Sequence, residues 1–171
     1  MKTWVAIVLL LTPFTLHAAD CTNANIDPST DEAVNFSASD NGTVTDNSTH
    51  LMWMRCSLGQ TWSNDASCNG TALTYTWSKA LSAGTNFSFG GYSDWRLPNI
   101  NELRSIIEDC RNSPAINSQL FPQTPSNKFW SSSPYIATST TNAWVVDFTH
   151  GRDNFDLKTK ANAVRLVRIN K

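Results

Sequence analysis

The stretch Gly91-Tyr92-Ser93-Asp94-Trp95-Arg96-Leu97-Pro98 decides the fold, because it places two aromatic rings, an acid, an arginine and a proline directly ahead of a helix signal. Asn99 suits the N-cap of that helix, and Glu102 three residues later completes a capping box. Apolar residues then recur at helical spacing at Leu103, Ile106, Ile107 and Cys110. The sequence predicts a tight corner followed by a helix over 99–110.

The charged residues of this corner, Asp94 and Arg96, lie too close to Trp95 to be ordinary surface charges. We interpret the corner, which Pro98 closes, as a structural element in which Arg96 bonds to a carboxylate and to backbone carbonyls. A ligand site is the alternative interpretation. In either case the corner identifies the fold better than it identifies the function.

The N-terminus has the features of a secretory signal peptide over residues 1–19. Lys2 precedes an apolar run too short for a stable membrane anchor, and the segment ends in small residues at Ala18 and Ala19. No later apolar stretch approaches membrane-spanning length, so we expect no transmembrane segment. The sequence predicts a protein exported to the periplasm, the cell surface or the extracellular space, with an irregular arm over 20–42 and one domain over 43–170.

Four cysteines make two disulfides the favoured interpretation, because an even number of cysteines in an exported chain is typical of a disulfide framework. Cys56 and Cys68 enclose a loop rich in glycine, serine and asparagine, and we pair them for that reason. Cys21 is then left for Cys110. A metal site is the alternative, but the spacing fits no zinc pattern, so none is predicted.

Short elements follow one another along the domain. The patterns predict helices over 74–83 and 99–110, a hairpin over 44–55, and strands over 129–133, 143–148 and 163–169. Trp130 lies in the first of these three strands, and Arg165 lies in the last, where we expect it to pair with Asp94 or Asp147. The predicted fold class is α+β, with two helices on a short, interrupted and mostly antiparallel sheet.

Ordered tryptophan-containing blocks make this chain resemble the Lcl C-terminal domain family, which is named after the Legionella collagen-like adhesin. The resemblance implies a disulfide-stapled, C-type-lectin-like fold in an exported bacterial protein. It also implies an adhesive function, since the domain binds sulfated glycosaminoglycans in the name-giving adhesin. No collagen repeat precedes the domain here, so a collagen-driven trimer is not implied. The blocks are LMWMRC (51–56), GQTW (59–62), CNG (68–70), YTW (75–77), GYSDWRLP (91–98), FWSSS (129–133), WVVDF (144–148) and VRLVR (164–168).

Together these patterns favour a non-catalytic domain that binds glycans or sulfated polyanions. Aromatic rings stack on sugars, and basic side chains pair with sulfate or carboxylate groups. We expect Trp62 to be exposed in the disulfide loop. The other predicted contact residues are a basic set that flanks a predicted turn: His150, Arg152, Lys158 and Lys160.

The main alternative to glycan binding is a structural or protein-interaction module of a surface or envelope complex. An enzyme is not expected, because no nucleophile elbow surrounds the serines of the FWSSS block. No cofactor is expected apart from calcium, which the acidic residues near the predicted turn leave open. Export and a formal net charge of −1 argue against nucleic acid as a partner.

Overall fold

The computed structural model describes residues 35–137 and 140–171 and is built mainly from short β-strands. The strands are β1 (Phe36–Ala38), β2 (Thr43–Asp46), β3 (Leu51–Met54), β4 (Thr61–Trp62), β5 (Cys68–Asn69), β6 (Thr74–Tyr75), β7 (Lys128–Tyr135), β8 (Asn142–Asp147), β9 (Arg152–Leu157), β10 (Asn162–Ala163) and β11 (Val167–Ile169). The helices are α1 (Trp77–Ser82) and α2 (Ile100–Arg104).

The predicted α+β, C-type-lectin-like fold is wrong. The structure is 8% helical and 33% strand, and it contains several sheets instead of one. Two helices do form, but they have six and five residues and cover little of the core. The described part of the protein is therefore mostly β.

Three sheets are present in the described residues. A four-stranded antiparallel sheet has the order β1-β2-β3-β11, and a two-stranded ribbon pairs β4 with β5. A five-stranded sheet has the order β6-β10-β7-β8-β9, in which β10 runs parallel to β7 and the other pairs are antiparallel. The hairpin of β2 and β3 confirms the one predicted over 44–55. Strand β9 forms one edge of the larger sheet.

The capping box is confirmed, whereas the length predicted for the second helix is wrong. The Glu102 backbone N–H donates to Asn99 Oδ1 at 2.9 Å, and the Asn99 N–H donates to a Glu102 carboxylate oxygen at 2.7 Å. The helix ends at Arg104 because the Ser105 hydroxyl donates to the Glu102 carbonyl and competes for the helical backbone. Leu103 and Ile106 still lie in the core, but Ile106 does so from a turn.

The strand predicted over 163–169 is broken into β10 and β11. Between them, Val164, Arg165 and Leu166 are all fully buried, so the alternation of a half-exposed strand does not apply. The break arises because the chain leaves the five-stranded sheet after β10 and enters the four-stranded sheet at β11. Residues 164–166 thus connect the two sheets through the interior.

Arg165 bonds to backbone and hydroxyl oxygens, so the predicted ion pair with Asp94 or Asp147 is wrong. Its Nη1 donates to the carbonyls of Met54, at 2.8 Å, and Arg55, and its Nη2 donates to the Thr124 hydroxyl at 2.6 Å. Its Nε has no partner among the described residues. Burial lowers the pKa of Arg165 to about 9, which leaves the guanidinium charged at neutral pH.

Ion pairs and buried side chains hold the corner at 91–98 in place. Arg96 forms a two-pronged ion pair with Glu102, with N–O distances of 2.6 and 2.8 Å, and thereby ties the corner to the cap of α2. Trp95 and Pro98 are buried. Asp94 remains exposed and accepts from Arg168 at 2.6 Å, and Arg168 also lies over the Tyr92 ring.

A buried tryptophan and a disulfide stabilise the rest of the core. Trp130 is fully buried, and its indole N–H donates to the Tyr75 carbonyl at 2.7 Å. The predicted Cys56–Cys68 disulfide is present. The other predicted pairing and the signal peptide lie outside the described residues, which begin after Cys21. Within residues 35–137 and 140–171 no helix has the length and apolar composition needed to cross a membrane.

Replacing Arg165 with methionine should destabilise the protein by about 2–4 kcal/mol, since each buried acceptor that loses its donor costs about 1–3 kcal/mol. Urea unfolding monitored by tryptophan fluorescence measures the loss. Arg152→Met is the matched control, because Arg152 is exposed on β9 and should change stability by less than about 0.5 kcal/mol. Equal unfolding midpoints for the two variants would show that the buried guanidinium does not stabilise the fold.

The ion pair at the corner should make stability depend on pH. Burial opposes the shift, but the hydrogen bonds from Arg96 and from the Asn99 N–H lower the pKa of Glu102 below its ordinary value of 4.5. A carboxyl with a lowered pKa stabilises the folded state above its unfolded pKa, and this contribution is lost as the pH falls through the folded pKa. We therefore expect Glu102→Gln to be less stable than wild type at neutral pH.

The stability difference between wild type and Glu102→Gln should shrink as the pH falls below about 4.5. Urea midpoints measured across that range test this expectation. Asp109→Asn removes an exposed carboxylate from the segment after α2 and serves as the control. A difference that stays constant down to the acid limit would contradict the assignment.

Candidate functional site

Trp62 lies on the two-stranded ribbon that the disulfide closes. It is the Cα partner of Cys68 across β4 and β5, and Cys68 is bonded to Cys56. The sequence predicted an exposed indole, but the structure places Trp62 half-buried, against the chain before β2. The ribbon is too short to hold such a ring by pairing alone, so side-chain contacts must fix it.

Three contacts fix the indole of Trp62. Its N–H donates to the Asp40 carbonyl at 2.7 Å. The Arg55 guanidinium lies over one face of the indole, with its central carbon 4.3 Å from the ring centroid. Gly42 has a positive φ of 83°, and a Cβ there would stand 2.6 Å from Trp62 Cγ, so glycine lets the backbone pass close to the ring.

Arg55 is itself held in place below the indole. Its Nε donates to the Leu120 carbonyl at 2.9 Å, and its Nη2 donates to the Gln119 carbonyl at 2.7 Å. The residue is 7% exposed, and burial lowers its pKa, against a smaller opposing effect of Asp40. The guanidinium therefore supports the ring from inside and does not reach solvent as an anion-binding group.

A shallow, open cavity of about 260 Å³ lies beside the indole. It is lined by Asp40, Trp62, Asn64 and Ala66. Next to it, Asp65 accepts from the Ser67 hydroxyl at 2.7 Å and from Ser63, which orders the loop. The cavity thus offers an aromatic surface, an amide and a carboxylate, and the ionisable groups at its rim are acidic.

The predicted basic set does not form one patch. Arg152 begins β9, whereas Lys158 follows the end of that strand. Six residues of strand span about 20 Å, so His150 and Arg152 lie far from Lys158 and Lys160. Lys158 is also engaged, because its Nζ donates to the Thr140 carbonyl at 2.6 Å and lies over a tryptophan ring. The predicted turn at His150 is present before β9, but Lys158 and Lys160 lie in the next turn, at the other end of that strand.

The carboxylates considered for calcium also diverge. Asp153 and Asp156 stand on opposite faces of β9, since side chains three apart on a strand alternate. Asp153 lies 3.7 Å from Arg104, and Asp156 lies 3.6 Å from Lys128. No group of three or more potential ligands is found in the described ranges.

Sequence reasoning missed a second aromatic surface, on the five-stranded sheet. Tyr135 stacks on Phe155 with ring centroids 4.3 Å apart, and it meets Trp144 edge-on at 5.1 Å. Phe155 is 42% exposed. These rings come from β7, β8 and β9, so no single stretch of sequence contains them. The cross-strand register, with Trp144 opposite Phe155, is what brings them together.

The Lcl C-terminal domain family matches residues 42–168, which is well over half of the sequence. No curated protein matches it. The matched residues include Trp62, the disulfide and the corner at 91–98. They also include strands β2 to β10 and all but the last residue of β11. The chain therefore belongs to the Lcl C-terminal domain family.

Proposed function

We propose that this protein is an exported, adhesin-like and non-catalytic binding domain that takes a saccharide at Trp62. Membership of the Lcl C-terminal domain family supports an adhesin-like domain, and the disulfide supports export. The observation that carries the proposal is the fixed indole of Trp62 beside an open cavity.

The cavity has the chemistry of a sugar site. A tryptophan face stacks on the C–H face of a pyranose ring, while a carboxylate accepts hydrogen bonds from hydroxyls and a side-chain amide both donates and accepts them. Because Asp40 and Arg55 already hold the ring in place, little side-chain entropy is lost when a ligand binds. A preformed aromatic surface with a few polar groups is typical of small-ligand sites.

The charges at this cavity favour an uncharged glycan over a sulfated polyanion. Asp40 and Asp65 are exposed at the rim, whereas Arg55, the cation that lies over the indole, is buried. A sulfated chain would instead have to bind along β9, where two basic ends about 20 Å apart are separated by acidic residues. That arrangement weakens the electrostatic attraction between the basic residues and an anionic ligand.

A binding role is also more consistent with the cavity than a hydrolytic one. Glycoside hydrolysis uses two carboxyl groups placed on either side of the scissile bond. Of the four residues that line the cavity, Asp40 is the one that ionises. Asp65 is turned to the serines of its own loop. We therefore propose no reaction at this site.

A protein-interaction module is the second candidate, and the aromatic surface of Tyr135, Trp144 and Phe155 favours it. Large aromatic side chains that remain partly exposed are enriched at the centres of protein interfaces. Leu157, which is 46% exposed, lies on the same face of β9 as Phe155. This surface and the cavity at Trp62 are different parts of the molecule.

The two candidates predict opposite effects of two alanine variants. We expect Trp62→Ala to abolish binding of neutral oligosaccharides in a calorimetric or array measurement, while Phe155→Ala leaves it unchanged. Each variant removes one aromatic ring, so each is the control for the other, with folding checked by circular dichroism. Loss of glycan binding in Phe155→Ala with retention in Trp62→Ala would overturn the site assignment.

The basic residues are tested on immobilised heparin. Because the basic pairs lie at opposite ends of β9, we expect weak retention of the wild type at low salt and little further loss in the double variant Arg152→Ala, Lys160→Ala. A neutral-glycan column is the control. Strong, salt-sensitive retention that the double variant abolishes would restore sulfated polyanions as the ligand.

A further inference from the structure

Three side chains of complementary reactivity meet on one face of the five-stranded sheet. Asp156 Oδ2 lies 3.6 Å from the Lys128 Nζ and accepts a hydrogen bond from the Asn162 side-chain amide at 3.3 Å. One carboxylate oxygen therefore bridges a primary amine and a carboxamide. The glycan site uses none of these groups.

The strand register places the amine and the carboxamide side by side. Phe129 and Ala163 are Cα partners in the parallel pair of β7 and β10, and Lys128 and Asn162 each come one residue earlier. Neighbouring strands lie about 4.8 Å apart, so these two side chains leave adjacent backbones on the same face. Asp156 comes from β9 and reaches both of them.

The site is sheltered from water around the carboxamide. Asn162 is 5% exposed, and the side chain of Asp156 is 20% exposed. The Lys128 side chain is 34% exposed. Shielding of Asn162 disfavours its hydrolysis, while the amine retains the freedom to approach. Holding two reactants together in this way lowers the barrier to their reaction.

We propose that Lys128 and Asn162 form an intramolecular isopeptide bond, with Asp156 as the proton carrier. Asp156 takes a proton from the Lys128 ammonium, and the free amine attacks Cγ of Asn162. The protonated Asp156 then gives its proton to the departing amide nitrogen. The Nζ–Cγ bond forms, the Cγ–Nδ2 bond breaks and ammonia leaves with the remaining proton as ammonium.

The reaction balances without an oxidant, a cofactor or a second protein. An ammonium and a carboxamide become a secondary amide and an ammonium ion, so charge and atoms are conserved. The bond would tie β10 to β7. Strand β10 has two residues and precedes the buried link at 164–166, so this is where a covalent cross-link would reinforce the connection between the sheets.

Mass spectrometry of the folded, reduced full-length chain tests the proposal. We expect the intact mass to be lower than the sequence mass by one ammonia molecule. Proteolysis should yield a branched peptide that joins the segments containing Lys128 and Asn162. An unshifted mass with two separate, unmodified peptides would overturn the proposal.

Variants distinguish formation of this isopeptide bond from other reactions that release ammonia. Lys128→Arg keeps the positive charge but lacks the nucleophile, and Asp156→Ala removes the proton carrier, so both should show the unshifted mass. Asp153→Ala is the matched control, because it removes an ion-paired carboxylate from the other face of β9, and it should keep the shifted mass. A mass loss that persists in Lys128→Arg, or that maps to the Asn-Gly pairs at 41–42 or 69–70, would count against the cross-link.

Discussion

The buried guanidinium of Arg165 is the constraint on which the rest of the structure depends. It lies in the three-residue link between the two main sheets and is fully buried. Charge in such a place is costly unless its hydrogen bonds are satisfied, and here the acceptors are carbonyls at the end of β3 and the Thr124 hydroxyl. The ring of Phe121 lies 4.7 Å from its central carbon. Arg165 therefore fixes segments that are far apart in sequence.

Arg165 is connected to the candidate site at Trp62 through Arg55. Arg165 binds the backbone carbonyl of Arg55, and the side chain of Arg55 lies beneath Trp62. The position of the indole is thus determined from the interior outward. Two buried cations support the site, yet neither presents its charge to the cavity. This explains how a chain with thirteen lysines and arginines displays an acidic rim there.

Local signals in the sequence were sufficient for some elements and misleading for others. The capping box at Asn99 and the turn of the first hairpin depend on contacts within a few residues, and both are present. Helix length was overestimated because helical spacing of apolar residues also suits a turn that packs on the core. The partners of Arg165 and the meeting of Tyr135 with Phe155 depend on pairing between distant strands. Periodicity carries no information about such pairing.

The edge of the five-stranded sheet at β9 is partly protected against pairing with another strand. The Lys158 N–H pairs with Thr141, so by alternation the N–H groups of Phe155 and Leu157 point away from β8. Each of these two groups donates to the side chain just before it, Asn154 or Asp156, at 2.8 and 2.9 Å. The C-terminal half of this edge, where both donors are satisfied, is therefore a poor template for another strand.

Asp156 takes part both in the protection of this edge and in the proposed cross-link, with a different carboxylate oxygen in each. Its Oδ1 accepts from the Leu157 N–H at the edge, and its Oδ2 faces the amine of Lys128 and the amide of Asn162. The same side chain that satisfies an edge donor thereby contacts both groups of the proposed cross-link. Protection of this part of the edge and the proposed cross-link therefore both depend on one side chain.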